Sequence, residues 1–308
     1  MLWPSLIAVS AFLLPSFALQ VPAESLASSY SLATSTSFAF PTATQDSSNS
    51  ASFITSQWSL TKGKIQDHAD DVAFVDDPFP SSNASSSSGP VLQVTYPQGS
   101  YSHGTGGTQF INLWNSSDGS QFNSMIASYE VAFDTNFDWV KGGKLPGIRG
   151  GLNSTGCSGG SEADGVSCFS SRIMWRQNGE GEVYAYIPET GGICSQQNVI
   201  CNSDFGISLS RGNFSFTAGQ WSRITMLVQL NNPPSLANGN IQLYFNDALA
   251  INQTGLQIRT SSSLAVNGLF FSTFFGGSDQ TYATPQTTHT YFRNLRLWGG
   301  SAASTLAG

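Results

Sequence analysis

From Phe169 to Ile187 the chain alternates side-chain character with a period of two, and this alternation constrains the fold more than any other feature. In a strand, successive side chains point to opposite faces, so Ser170, Arg172, Met174 and Arg176 form one row and Ser171, Ile173 and Trp175 the other. Gln177 to Glu182 reads as the turn. Tyr184 and Tyr186 then share a face on the return strand, with Val183, Ala185 and Ile187 turned toward the core. Loop parity decides whether the two polar rows meet. A two-residue turn at Asn178-Gly179 pairs Arg172 with Ala185 and separates them. An odd loop centred on Asn178 or Gly179 pairs Arg172 with Tyr184 or Tyr186 and joins them, and hairpin loops of three or five residues containing glycine are common. The expectation is an odd loop.

Other segments carry the same period. Val91 to Tyr96 and Ala127 to Phe133 alternate, and Ile224–Leu230, Ile241–Phe245, Leu269–Phe275 and Tyr291–Leu297 are short β-rich runs bounded by Gly, Asn, Pro and Ser. Long helical periodicity is absent, so no crossover helices are expected. The predicted class is all-β, a jelly-roll sandwich of two antiparallel sheets whose concave face offers a cleft to a chain-like ligand.

The first residues are expected to lie outside that fold. Leu6 to Leu19 is apolar apart from two serines and a proline, and Ser16-Phe17-Ala18 offers a cleavage site, which predicts a signal peptide over 1–18. The run is interrupted by Pro15 and falls short of the roughly 20 residues that span a bilayer, so no membrane is expected for the mature protein. Residues 19–56 are rich in Ser, Thr and Ala with few large apolar groups, and read as a flexible linker. The folded domain is placed at 57–300, with Ser81–Gly89 a loop inside it and 301–308 a small polar tail. About 240 residues are ample for one β domain with a full core.

Export accords with two further patterns. Asn83, Asn115, Asn153, Asn213 and Asn252 each begin an N-x-Ser/Thr acceptor. Cys157 and Cys168 bracket one short loop and Cys194 and Cys201 a second, which suggests two local disulfides, although four cysteines allow three pairings. Neither CxxC pairs nor nearby histidines accompany them, so zinc is disfavoured; no metal and no cofactor are expected.

Net charge is −7, which makes nucleic acid an improbable partner. The basic residues are nonetheless concentrated. Lys141, Lys144, Arg149, Arg172 and Arg176 fall within 36 positions, five of the twelve Lys and Arg in the chain. Such a local groove can hold an anionic polymer on an acidic surface. Other chemistries find little support. A retaining glycosidase needs two carboxylates about 5 Å apart, whereas Glu180 and Glu182 read as turn residues, and Asp67, Asp70, Asp71, Asp76 and Asp77 as a solvated loop. No H-E-x-x-H or phosphate-loop motif is present.

The block KGGKLPG, the Ser170-x-Arg172-x-x-Trp175-Arg176 strand, the Tyr184-x-Tyr186 return and the later FFSTFFGGSDQTYATP segment together resemble polysaccharide lyase family 14, with a more distant likeness to the glucuronan lyases of family 20. The likeness runs from about Trp58 to Trp298. It implies a jelly roll that cleaves a 4-linked uronic acid polymer, glucuronan or alginate-like, by β-elimination. Carried onto this chain, it implies catalytic roles for Lys144, Ser170, Arg172, Tyr184 and Tyr186. Lys144 is preferred to Lys141 because glycines and Leu145-Pro146-Gly147 restrict the backbone around it; Lys141 either binds substrate or caps the strand. On chemical grounds Arg172, helped by Lys144 or Ser170, neutralises the substrate carboxylate, and Tyr184 or Tyr186, made more acidic by cationic neighbours, acts as base and acid. Arg176, Gln109 and His103 are further substrate contacts, with His103 alternatively a base or a structural residue. Trp139 and Trp175 either stack on sugar rings or pack in the core. A non-catalytic jelly roll that binds anionic glycans through the same groove is the competing reading.

Overall fold

The structure, a computed structural model, describes residues 19–80, 89–152 and 155–308. The expected signal peptide, the acceptors Asn83 and Asn153, and nearly all of the expected loop at 81–89 lie outside the described residues. Two antiparallel sheets pack face to face. The first contains β1 (Thr34–Ser37), β2 (Val72–Val75), β3 (Val91–Tyr96), β5 (Ser124–Phe133), β11 (Ser222–Gln229), β12 (Gly239–Phe245), β13 (Ala248–Leu256) and β15 (Thr288–Gly300). Its order is β13-β12-β11-β5-β15-β3-β2, with β1 also paired to β15. The second contains β4 (Thr108–Ile111), β6 (Gly142–Gly150), β7 (Phe169–Arg176), β8 (Glu180–Tyr186), β9 (Val199–Ile200), β10 (Ile207–Ser215) and β14 (Val266–Phe275), in the order β4-β14-β6-β7-β8-β10-β9. This is the expected all-β jelly roll.

The inner faces make one continuous core that includes Ile173, Trp175, Val183 and Ala185 from the second sheet and Tyr129, Val131 and Phe133 from the first. Trp175 is fully buried against Tyr96, Phe133 and Phe275, and Trp139 packs on Phe133 and Phe216, so both indoles belong to the core. Polar bonds cross between the layers. The Tyr129 hydroxyl donates to the Pro146 carbonyl at 2.9 Å, and the Tyr96 hydroxyl bonds both Thr273 and Thr290.

Residues 19–56 do not form a flexible linker. They carry α1 (Ala23–Ser29), β1 and α2 (Ser47–Gln57). Ala23, Leu26, Ala27 and Leu32 cover Ile126, Leu227 and Trp298 on the outside of the first sheet, while Ile54 and Trp58 close one end of the sandwich among Phe38, Phe40 and Phe74. The Asp46 side chain caps α2 by accepting from the Asn49 amide at 2.9 Å. A helix this short needs only a narrow apolar stripe when a sheet supplies the opposing surface, which composition alone does not reveal. The tail is likewise tied down: the Ser304 amide donates to the Leu230 carbonyl and the Asn238 side chain to the Leu306 carbonyl.

The acidic run is not a free loop either. Asp77 accepts from Arg293 and from the Trp221 indole, Asp67 accepts from Gln109, and burial, followed by the charge of Asp70, pushes the Asp71 carboxyl up to about 6. Both disulfides join the expected neighbours, Cys157–Cys168 and Cys194–Cys201. The acceptors Asn115, Asn213 and Asn252 are exposed, and no described helix is long and apolar enough to cross a membrane.

The packing of α2 makes a stability prediction. Ile54→Ala removes a side chain with no solvent exposure and should cost about 2–4 kcal/mol in denaturant unfolding. An unchanged midpoint would mean that the segment does not contribute to the folded unit.

Candidate active site

The hairpin of β7 and β8 sets the site. Its loop is the three residues Gln177–Gly179, with Asn178 and Gly179 at φ 59° and 79°, so it is odd and centred on Asn178. Arg172 therefore stands opposite Tyr184, and Ser170 opposite Tyr186. The turn is shorter than expected, which places Glu182 inside β8. It stands opposite Met174 with no solvent exposure.

On the other side of β7, β6 brings Lys144 opposite Met174. A methyl group on Gly143 would lie 2.1 Å from the Trp175 ring, so only glycine lets β6 approach this closely. With residue 143 pressed on the core, Lys144 faces the concave side. Its Nζ donates to Met174 Sδ at 2.8 Å and lies 3.7 Å from the centre of the Tyr184 ring. The lysine, guanidinium and phenols thus face one trough of about 580 Å³.

Four basic side chains line that trough: Lys144, Arg172, Arg176 and Arg211. Among the described residues no carboxylate lines it. Glu182 lies beneath, accepting from Arg176 Nε at 2.9 Å, Arg211 Nε at 2.7 Å and the Ser208 hydroxyl at 2.6 Å. Burial opposes its charge, but Arg176, Ser208 and Arg211 outweigh that cost and hold the carboxyl below its usual range.

The neighbouring groups respond to the same dry, cationic setting. Burial, reinforced by Arg172 and Arg176, takes the Lys144 ammonium well below its ordinary pKa, against the opposing pull of Glu182. Burial brings Arg172 down to about 10, so it stays charged at neutral pH. Burial, together with Tyr186, raises Tyr184, and the cations Arg176 and Arg172 do not reverse it. Tyr184 is therefore a phenol rather than the cation-stabilised phenolate expected from sequence.

Arg172 is held from the far wall. Its NH1 donates to the Ser272 hydroxyl at 3.1 Å, Ser272 donates to Gln109 Oε1 at 3.1 Å, and Gln109 donates to Asp67 at 3.0 Å. His103 Nδ1 lies 3.4 Å from the same Asp67 oxygen and is exposed at the trough wall. Gln109 thus supports Arg172 as well as lining the trough. Lys141 lies at the rim, where its Nζ donates to Thr281 and sits 4.9 Å from the Tyr282 ring centre.

The opposite end is roofed by the loop that Cys157–Cys168 closes. The Gly160 amide donates to the Tyr186 hydroxyl at 3.2 Å, and the fully buried Ser170 hydroxyl donates to the Cys157 carbonyl at 2.6 Å. Ser170 spends its one donor on that loop. Sequence reasoning missed Glu182, Arg211 and Ser272. Glu182 shares the period of Tyr184 and Tyr186, so the alternation contained it; Ser272 lies within the FFSTFFGGSDQTYATP segment without being singled out there, and Arg211 comes from a distant strand with no local signal.

A family model described as Polysaccharide lyase 14 matches residues 84–295. Among solved structures, the chain is similar to the marine PL-14 alginate lyase from Aplysia kurodai, at 33% identity over 85% of this chain and all of that one, with a TM-score of 0.70. It also resembles the alginate lyase vAL-1 from Chlorella virus in fold, at 21% identity over 84% of this chain and 99% of that one, with a TM-score of 0.60. The likeness to the endo-β-1,4-glucuronan lyase from Trichoderma reesei, 12% identical over 72% of this chain and 87% of that one with a TM-score of 0.44, carries no argument. No curated protein matches the chain. A family model spanning most of the chain, together with a solved relative one third identical along nearly all of it, establishes that this protein belongs to polysaccharide lyase family 14.

Proposed function

We propose that the protein is a secreted lyase that cleaves a 4-linked β-uronate polymer, alginate-like mannuronan or glucuronan, by β-elimination. The observation that carries this reading is a trough lined by three guanidinium groups and, among the described residues, no carboxylate, with a depressed lysine against a phenol on its floor. Such a floor binds a polyanion and lacks the carboxylate pair that glycoside hydrolysis requires. The 33% identical Aplysia kurodai protein is an alginate lyase, which supports a uronate substrate. Two disulfides support export.

The C5 proton of a uronate is poorly acidic while the adjacent carboxylate is ionised. Arg172, fixed through Ser272 and Gln109, pairs with that carboxylate and stabilises the charge that grows as the proton leaves. The neutral amine of Lys144 takes the proton, and the C5–H electron pair becomes the C4=C5 double bond. The C4–O4 bond breaks, and O4 takes a proton from the Tyr184 phenol. The Lys144 ammonium then returns its proton to the Tyr184 oxygen. In β-linked mannuronate or glucuronate the C5 hydrogen and O4 lie on one side of the ring, which suits a site whose proton-carrying groups all rise from one sheet. Tyr186, fixed by Gly160, orients the sugar from the roofed end.

Purified protein incubated with polymannuronate, polyguluronate and polyglucuronate should generate the ultraviolet absorbance of an unsaturated uronate from one of the β-linked polymers. Binding without that absorbance at any pH would select the non-catalytic reading instead. Arg172→Ala should lower kcat by about 100- to 1,000-fold, the usual effect of losing one donor to a developing anion.

The pH profile tests the base. An amine acts only when deprotonated, so kcat/KM should rise with pH through the Lys144 pKa, well below the ordinary lysine value. Arg176→Gln removes a neighbouring positive charge, raises that pKa and should move the limb to higher pH. A limb that stays in place would remove Lys144 from the role.

The roof supplies another test. Ser170→Ala cuts the tie to the Cys157 carbonyl, and replacing both Cys157 and Cys168 by Ala opens the loop that holds Tyr186. Both variants should lose kcat more than they raise KM, and Ser170→Thr should recover part of it. Full kcat in both would show that the roof takes no part in turnover.

A further inference from the structure

We propose that Arg211, clamped beside Arg176 on the buried Glu182, binds the carboxylate of the uronate next to the one being cleaved. Ile200 supplies an apolar wall of this second sugar subsite. The inference rests on the polyuronate reading of the trough.

Three observations converge on it. The first is charge. One guanidinium suffices to neutralise Glu182, yet Arg176 and Arg211 both engage it, each from its own side: Arg176 Nε to Oε1 at 2.9 Å, Arg211 Nε to Oε2 at 2.7 Å. The Ser208 hydroxyl fills a further acceptor position on the carboxylate. The cluster therefore carries one positive charge in excess, and it faces the trough. Arg211 keeps 37% of its side chain exposed while Glu182 has none, so the excess charge is presented at the surface.

The second is backbone. β10 pairs regularly with β8 as far as Leu209, then loses register until Phe214. Within that interruption Ser210 and Gly212, on either side of Arg211, adopt φ of 52° and 81°. A left-handed serine is uncommon, and a bulge of this kind re-aims the side chain it carries. Here the re-aimed side chain is Arg211, turned back onto Glu182 rather than out along the edge of the sheet.

The third is the wall. Ile200 is 52% exposed, one of the few large apolar side chains left in solvent among the described residues, and lines the same trough as Arg211. It lies beside the Cys194–Cys201 disulfide and stands opposite Ser208, which donates to Glu182. Apolar surface beside a fixed cation matches a uronate ring, which has apolar C–H faces and one carboxylate. Glu182 is two residues from Tyr184 on β8, about 7 Å along the strand. That offset separates the clamp from the reacting centre by about one sugar.

Affinity and turnover for tri-, tetra- and pentamannuronate, and for the glucuronate series, test the proposal in the full chain. For the wild type, kcat/KM should climb with oligomer length. In Arg211→Ala the climb should flatten, with the longer oligomers losing about tenfold, chiefly in KM, and Arg211→Lys should recover part of the loss. Calorimetric binding of the tetrasaccharides should weaken by a similar factor and depend less steeply on salt. Wild-type length dependence and affinity in Arg211→Ala would overturn the subsite while leaving the lyase reading intact. A wild type that binds the tetrasaccharides through Arg211 but forms no unsaturated product would sink the lyase reading and keep the subsite; a wild type that binds neither tetrasaccharide overturns the subsite.

Discussion

Everything at the site depends on the register of one hairpin. Because three residues rather than two connect β7 to β8, Arg172 faces Tyr184 and both project away from the core. A shift of one position would turn Ile173, Trp175, Val183 and Ala185 away from the apolar core and drive the guanidinium and the phenols into it. The apolar row thus enforces the polar one. Trp175, fully buried, locks the arrangement and also dictates glycine at residue 143, which seats Lys144 beside Tyr184.

The chemistry then follows from where the charges are put. Guanidinium groups crowd the trough floor, and the carboxylate that joins two of them, Glu182, is sunk below it with its acceptor positions filled. Low polarity and like charge both disfavour a proton on Lys144, so the lysine is prepared to accept one. The same low polarity disfavours ionisation of Tyr184 and keeps it a donor. One environment drives the amine and the phenol to opposite uses, as in other sites where two groups are set apart by their surroundings.

Much of this was legible in the order of residues. Period-two runs identified the strands, the expected odd loop brought the Arg172 row to the tyrosine row, and paired cysteines in short loops marked both disulfides. Expectations failed where a residue's partner lies far away in the chain. Residues 19–56 looked too poor in apolar groups to fold, because the surface that Leu26 and Ile54 cover belongs to other strands. Asp77 looked solvated, because Arg293 stands 216 positions away.

Sequence by itself determined that the chain forms two-faced strands, with Ser170 and Arg172 on one face of the first and Tyr184 and Tyr186 on one face of the second, since the direction of a side chain in a strand is a matter of counting. Only the tertiary structure decided what those groups are: Ser170 an anchor for the disulfide loop, Tyr184 a neutral phenol, Lys144 an amine stripped of its usual basicity, Arg211 a partner of Glu182. Protonation and hydrogen-bond partnership depend on burial and on charges brought in by distant strands, and no local spacing encodes either.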